Sequence, residues 1–283
     1  MAAAPGLSPA LLAAQIPALA DITPVAVGGQ KFVYRAHHAT HGPVALKVFG
    51  DSADPQRTQR EIDAVKSIAC AHVPTIFETG VITGGPKPYI WLVEEWLTGD
   101  TLRARLSGGA QSDAVVSLVA LEVLFVLSEA ERQHIVHRDV KPENIFLATD
   151  NSKCWLLDFG IARHLDLTTI TAAGAGFGPL SPGYAPPEQI QNYKDKLDAR
   201  ADLFAIGVTL YECLMGTNPY TAGTMDPGER MRRTLAYDLP RSTREIDAGG
   251  QFGDLVRAMS WRRRSLRPRT AAKAYDWLRA IGV

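Results

Sequence analysis

Eight consecutive residues, His137-Arg138-Asp139-Val140-Lys141-Pro142-Glu143-Asn144, carry the densest chemistry in the chain. A carboxylate such as Asp139 can orient an attacking hydroxyl and accept its proton. Lys141, two residues on, can set a positive charge beside a transferred phosphoryl group. Asn144 offers an amide oxygen of the kind that magnesium prefers. A second oxygen donor is Asp158 of Asp158-Phe159-Gly160, which follows the apolar run Trp155-Leu156-Leu157, read as a short buried strand. That tripeptide alone is a weak signal. A third group, Val44-Ala45-Leu46-Lys47, ends an apolar strand in a lysine. Two readings of it stand: a solvated strand end, or a lysine directed at nucleotide phosphates. In the second reading Glu61 is its positioning partner. The three groups together describe phosphoryl transfer.

Elements must exist to bring these groups together. Val25–Val27, Phe32–Arg35 and Val44–Phe49, separated by Gly28-Gly29 and Thr40-His41-Gly42-Pro43, predict an antiparallel meander. Asp54-Pro55 predicts a helix start. Ile62, Val65 and Ile68 behind it fall on one helical face. A further strand is expected near Tyr89–Val93. After Gly99-Asp100 the pattern turns helical. Ser112 or Asp113 can cap a helix over Ala114–Leu127 that is apolar nearly all round, as a buried helix is. Others are expected over Ala201–Met215, with Gly216 at the C-cap, and over Ala271–Ile281. Strands followed by helices predict an α+β chain of two lobes, with a ligand cleft between them.

Composition narrows the partners. The 30 Lys and Arg balance 30 Asp and Glu, so neither a nucleic acid nor a membrane is called for. Cys70, Cys154 and Cys213 form no CxxC pair and no disulfide framework, which predicts a reducing, cytoplasmic setting. Residues 1–20 hold no Lys or Arg, so the basic start of a signal peptide is missing. That segment is expected to be a short helix or a disordered tail, followed by one lobe over 21–97 and another over 98–283.

In order, a glycine loop, VALK, a helix Glu, HRDVKPEN, DFG and Pro-Pro-Glu resemble the signature set of protein kinases, over about residues 22 to 281. The resemblance implies a bilobal kinase fold, with a small antiparallel-sheet lobe carrying one key helix and a larger helical lobe. It implies that Lys47 holds the α- and β-phosphates of ATP and pairs with Glu61. Asp139 would be the catalytic base. Asn144 and Asp158 would bind Mg2+, with Mn2+ as the alternative. Lys141 is similar to the Ser/Thr-specific subgroup, so the substrates would be protein Ser and Thr hydroxyls. Adenine would meet the backbone near Glu95 and Leu97 and lie between Val33, Ala45 and Phe146, with Val25 and Gly28 over the nucleotide. Asp202 resembles the aspartate that braces the catalytic loop. Glu188 and Arg267 resemble a structural ion pair, and residues 181–184 the segment that receives the substrate. Thr168, Thr169, Thr171 and Ser181 are the phosphorylation candidates, with Arg138 awaiting the phosphate. The flavour is similar to bacterial Ser/Thr kinases. A regulatory partner or a homodimer would supply control.

Three departures qualify the resemblance. Ala26, Gly28 and Lys31 fall on the three glycine positions, so only the central glycine remains. Glu94 falls where an apolar or hydroxyl residue is usual. A buried carboxylate there needs a partner, and Lys47 is the obvious one. Such a pair would compete with Glu61 and stabilise an inactive state, whereas a one-residue shift of register would remove it. Pro186 stands for the Ala of Ala-Pro-Glu, and Leu180 for a Gly. The alternative function is therefore a pseudokinase acting as a nucleotide-binding regulatory module. A small-molecule kinase of related fold is a third reading, opposed by Arg138-Asp139-x-Lys141. His37, His38 and His41 are expected to form a solvated turn rather than a metal site. Arg262-Arg263-Arg264 with Arg267 and Arg269 is expected to be a solvated loop with one structural arginine, and Trp91 and Trp96 to be packing residues.

Overall fold

The computed structural model describes residues 7–27, 31–49, 55–68, 70–83, 88–159, 180–193 and 197–283. Gly28, Asp54, Thr168, Thr169 and Thr171 lie outside the described residues, as does the side chain of Glu61. Two compact units are formed, the first from residues within 1–67 and 74–97, the second from residues within 68–73, 98–160 and 175–283.

The first unit runs α1 (Pro9–Gln15), β1 (Leu19–Val27), β2 (Lys31–His38), β3 (Gly42–Phe49), α2 (Pro55–Lys66), β4 (Ile76–Ile82) and β5 (Tyr89–Glu95). Its five strands are antiparallel neighbours in the order β1-β2-β3-β5-β4. Side chains alternate across a sheet, and here the two faces differ in chemistry. One face carries Tyr34, Ala36, Val44, Leu46, Val48 and Val93, packed with Leu7, Leu12 and Ile16. The opposite face carries Val33, Ala45, Lys47, Leu92 and Glu94, with Val33 across from Lys47 and Ala45 across from Glu94.

Of the N-terminal segment, Pro9–Gln15 form a helix built into the core. Ser8 Oγ accepts the Leu11 N–H at 3.2 Å, and Pro9 takes the first helical position. Leu12 and Ile16, one turn apart, face the sheet and are buried with Leu7, each contributing about 1.5–3 kcal/mol. Tyr34 Oη donates to the Leu7 carbonyl at 3.3 Å. β1 begins at Leu19, ahead of the expected lobe boundary.

The histidine turn is only partly solvated. His38 is 2% exposed. Its Nδ1 accepts the Thr40 and His41 N–H groups at 3.0 and 3.2 Å, and its Nε2 lies 3.1 Å from Glu78 on β4. His41 stacks on Phe77. A carboxylate does sit beside these residues, brought by a strand that the sequence pattern did not reveal. No group of three or more His, Cys, Asp or Glu suited to a metal occurs among the described residues. Trp91 packs on Gly80, where an added Cβ would meet its ring at 2.6 Å, and Trp96 lies under Arg35.

The second unit holds β6 (Gly99–Thr101), α3 (Leu102–Leu106), α4 (Asp113–Arg132), a 3-10 turn at Pro142–Asn144, β7 (Ile145–Ala148), β8 (Cys154–Leu156), α5 (Pro187–Ile190), α6 (Ala199–Met215), α7 (Pro227–Ala236), α8 (Gln251–Met259) and α9 (Ala271–Ile281). β6, β7 and β8 form a small antiparallel sheet. α4 is capped by Ser112 and extends past the expected Leu127. α6 ends as expected at Gly216, in the left-handed conformation.

α6 is buried over most of its length yet carries Asp202 and Glu212 inward, both partnered. In the basic run after α8, Arg267, 3% exposed, is the one structural arginine expected, and Arg263 and Arg269 are exposed. Arg262 and Arg264 are more engaged than expected, bonded to Asp238 and Asp198. Each acidic partner lies far away in sequence, which is why the run read as solvated.

Candidate functional site

The second unit builds a connected polar site around Asp139. Asp202 reaches from α6 and accepts the His137 N–H on Oδ2 and the Arg138 N–H on Oδ1, both at 2.7 Å. These bonds fix the backbone where Arg138 has φ 66°, a left-handed value uncommon outside glycine. Burial pushes the Asp202 carboxyl up to about 7, against the two amides, which favour its charged form.

His137 is fully buried. Its Nδ1 accepts the Asp139 N–H at 3.2 Å, so the Nε2 hydrogen is the one donated to the Leu157 carbonyl at 2.8 Å. Its ring packs on Phe159 at 4.6 Å. The imidazole thereby joins the 137–144 loop to the residue before Asp158. Asp158 also has a left-handed backbone, φ 56°.

Asn144 Nδ2 donates to the Asp139 carbonyl at 2.8 Å and to its Oδ2 at 3.2 Å. With the nitrogen so engaged, Oδ1 is the atom that can serve a cation. Leu157 N–H donates to the Asn144 carbonyl at 2.8 Å, which brings the strand before Asp158 against the 3-10 turn. An amide oxygen and a carboxylate on adjoining backbone fit magnesium, which takes oxygen ligands and keeps several waters.

Ser181 completes the group. Its Oγ donates to Asp139 Oδ1 at 2.7 Å and accepts from Lys141 Nζ at 2.8 Å, while Lys141 Nζ lies 3.1 Å from Asp139 Oδ2. The hydroxyl is held between a base and a cation, so a phosphate on it would set anion against anion beside Asp139. Gly183, φ 95°, lets this segment pass Thr221, whose Cγ2 would lie 2.4 Å from an added Cβ. Gln189 Nε2 donates to the Arg138 carbonyl at 3.1 Å. The expected Glu188–Arg267 pair is present, with bonds of 2.6 and 3.0 Å, and Arg267 also donates to the carbonyls of Arg200, Trp261 and Arg262.

A neighbouring cluster escaped the sequence reading. Arg103 of α3 donates to Glu143 at 2.8 Å, to Glu212 at 2.7 Å and to the Tyr184 hydroxyl, which in turn donates to Glu212. Burial works against the Arg103 charge, but Glu212 and Glu143 hold its pKa above the ordinary value. Burial, then Glu212, raises that of Tyr184. The guanidinium joins the 137–144 loop, α6 and the Ser181 segment. An arginine in a short helix carries no motif, so no signal marked it.

The first unit holds the remaining expected residues. Lys47 and Glu94 form an ion pair, as expected for a carboxylate at that position. Lys47 is buried, so the solvated strand-end reading does not hold. Ala45 is buried on the same face, Val33 is half-buried, and Val25 is 39% exposed. Glu95 ends β5 with its N–H on the Thr75 carbonyl at 2.9 Å, and Leu97 follows in an irregular stretch. Phe146 belongs to the second unit, on β7, with its ring edge toward Trp155.

A family model described as the protein kinase domain matches residues 23–274. The chain is 35% identical over 240 residues to the serine/threonine-protein kinase PknL of Mycobacterium tuberculosis, covering 82% of this chain and 57% of that protein. PknD of the same species is 33% identical over 239 residues, covering 79% and 35%. PknB of Mycobacterium leprae is 34% identical over 204 residues, covering 68% and 32%. The chain thus spans from about a third to just over half the length of these relatives. No helix among the described residues is long and apolar enough to cross a membrane.

Proposed function

The chain belongs to the protein kinase family, and on that premise we propose that it transfers the γ-phosphoryl group of ATP to protein Ser and Thr hydroxyls. The observation that carries this reading is the closed set of bonds joining Asp139, Lys141, Asn144 and Ser181, braced by Asp202. Asp139 aims the substrate hydroxyl and takes its proton. Lys141 balances charge as the phosphoryl group moves, and its bond to a serine hydroxyl supports preference for aliphatic hydroxyl substrates. Asn144 and Asp158 would hold magnesium, which neutralises the phosphate oxygens when bound. Lys47 holds the α- and β-phosphates. Val25, Val33, Ala45 and Phe146 contact adenine, and the backbone at Glu95 and Leu97 bonds its edge.

The test is label transfer from ATP with magnesium to a generic protein substrate, with Asp139→Asn as control. Transfer that falls by at least about a hundredfold in the control supports the reading, and transfer that persists unchanged overturns it. Autophosphorylation of Thr168, Thr169 or Thr171 belongs to the same proposal, with Arg138 as the phosphate's partner through charge-assisted bonds. Replacing all three with alanine is expected to lower activity, and full activity would remove that part.

A further inference from the structure

We propose that Glu94 is a positioning residue for Lys47, a carboxylate within the sheet that holds the ammonium ready for phosphate. This rests on the reading of Lys47 as the phosphate-binding lysine.

Lys47 and Glu94 are 6% and 8% exposed and form an ion pair. Either charge buried alone would be strongly disfavoured, which favours keeping the two side chains together. The pairing follows from strand register. Ala45 lies across from Glu94, and Lys47 is two residues along β3 on the same face. β5 is an interior strand, hydrogen-bonded to β3 on one side and β4 on the other. The backbone of Glu94 is therefore fixed by ladders on both sides, and its carboxylate can part from Lys47 only by a change of side-chain rotamer.

Helix α2, which carries Glu61, buries Ile62 and Val65. A helix held by side-chain packing can shift as a body, whereas a strand with one buried face resists slipping. A carboxylate on the sheet thus fixes the lysine independently of that helix. An ammonium has three N–H donors, so a bond to Glu94 is compatible with simultaneous bonds to phosphate oxygens. Positioning from the sheet is the reverse of the expected inactive pairing, and the two predict opposite signs.

The experiment measures ATP and adenosine affinity, with steady-state kinetics, for Glu94→Gln, Glu94→Asp, Glu61→Gln, the Glu61→Gln/Glu94→Gln double variant and Lys47→Met. Glu94→Gln is expected to weaken ATP by about tenfold or more and to leave adenosine unchanged, a split that mere loss of structure would not give. Glu94→Asp should recover part of the loss. The double variant should lose more than the product of the single losses, because either carboxylate can serve the lysine. If Glu94→Gln does not fold, Glu94→Met, which fills the space without charge, carries the same readout. Unchanged ATP affinity overturns the proposal. Tighter ATP binding overturns it in favour of an inhibitory pair. Unchanged ATP affinity in Lys47→Met removes the premise itself, a result distinct from a failure at Glu94 alone.

Discussion

The surroundings of Asp139 and of Lys47 are organised on different principles. Asp139 is held through backbone amides, a buried imidazole, an amide side chain and a serine hydroxyl, drawn from the catalytic loop, α6 and the Ser181 segment. Lys47 is met by a buried carboxylate delivered through the register of two strands. In the first case an amide, a hydroxyl and the Lys141 ammonium converge on one carboxylate from different elements, which suits the proposed task of aiming at a hydroxyl. In the second, charge is matched to charge, which suits a buried ammonium.

The comparison can be broken most severely at Asp202. Alanine there leaves two buried N–H groups without their acceptor, expected to cost about 2–6 kcal/mol. The displaced loop should lower turnover by about a hundredfold. Denaturant unfolding and single-turnover transfer measure the two effects. Near-normal turnover would mean that the loop holds its own shape.

A smaller effect is expected from Arg103→Met, which leaves Glu212 buried without its cation and releases Tyr184 from the catalytic loop. Activity should fall by about tenfold, with a stability loss of about 2–3 kcal/mol. The loss should appear in the KM for protein substrate more than for ATP, because the cluster ties down the Ser181 segment. Equal effects on both substrates would count against that role.

The smallest expected effect lies in pH dependence. Asp202 has an ordinary pKa of 3.8, raised to about 7 in the fold by burial. Between these values the folded chain holds a proton that the unfolded chain has lost. The stability from this group is full below about pH 4 and declines as pH rises through 7. Asp198 runs the opposite way. Burial raises its pKa, but bonds from Arg200 and Arg264 outweigh that and bring it to about 2. Its contribution is present above pH 3.8 and is lost as pH falls toward 2. Unfolding midpoints measured between pH 4.5 and 8 should decline less steeply in Asp202→Asn than in the parent chain, and identical slopes would show that Asp202 does not titrate there.

Much of this was legible because the signals are local. Residues 137–144 lie in one loop, so which chemical groups stand together could be read from spacing. Helices α6 and α9 were legible from their apolar runs, and the end of α6 from Gly216. β4 was not, because its half-buried edge pattern resembles a loop. His38 and Arg262–Arg264 read as solvated because their carboxylates lie on other elements. The N-terminal segment read equally as helix or tail, since seven helical residues have little stability until a surface buries them.

By itself the sequence determined which chemical groups are present and which of them share a loop or a helical face, because a few residues of backbone fix those relations. Tertiary structure decided which buried charges are matched: Lys47 with Glu94, Arg103 with Glu143 and Glu212, Asp202 with two backbone amides. The reason is physical. A buried charge is tolerated only beside its partner, and that partner comes from whichever strand or helix the fold packs there.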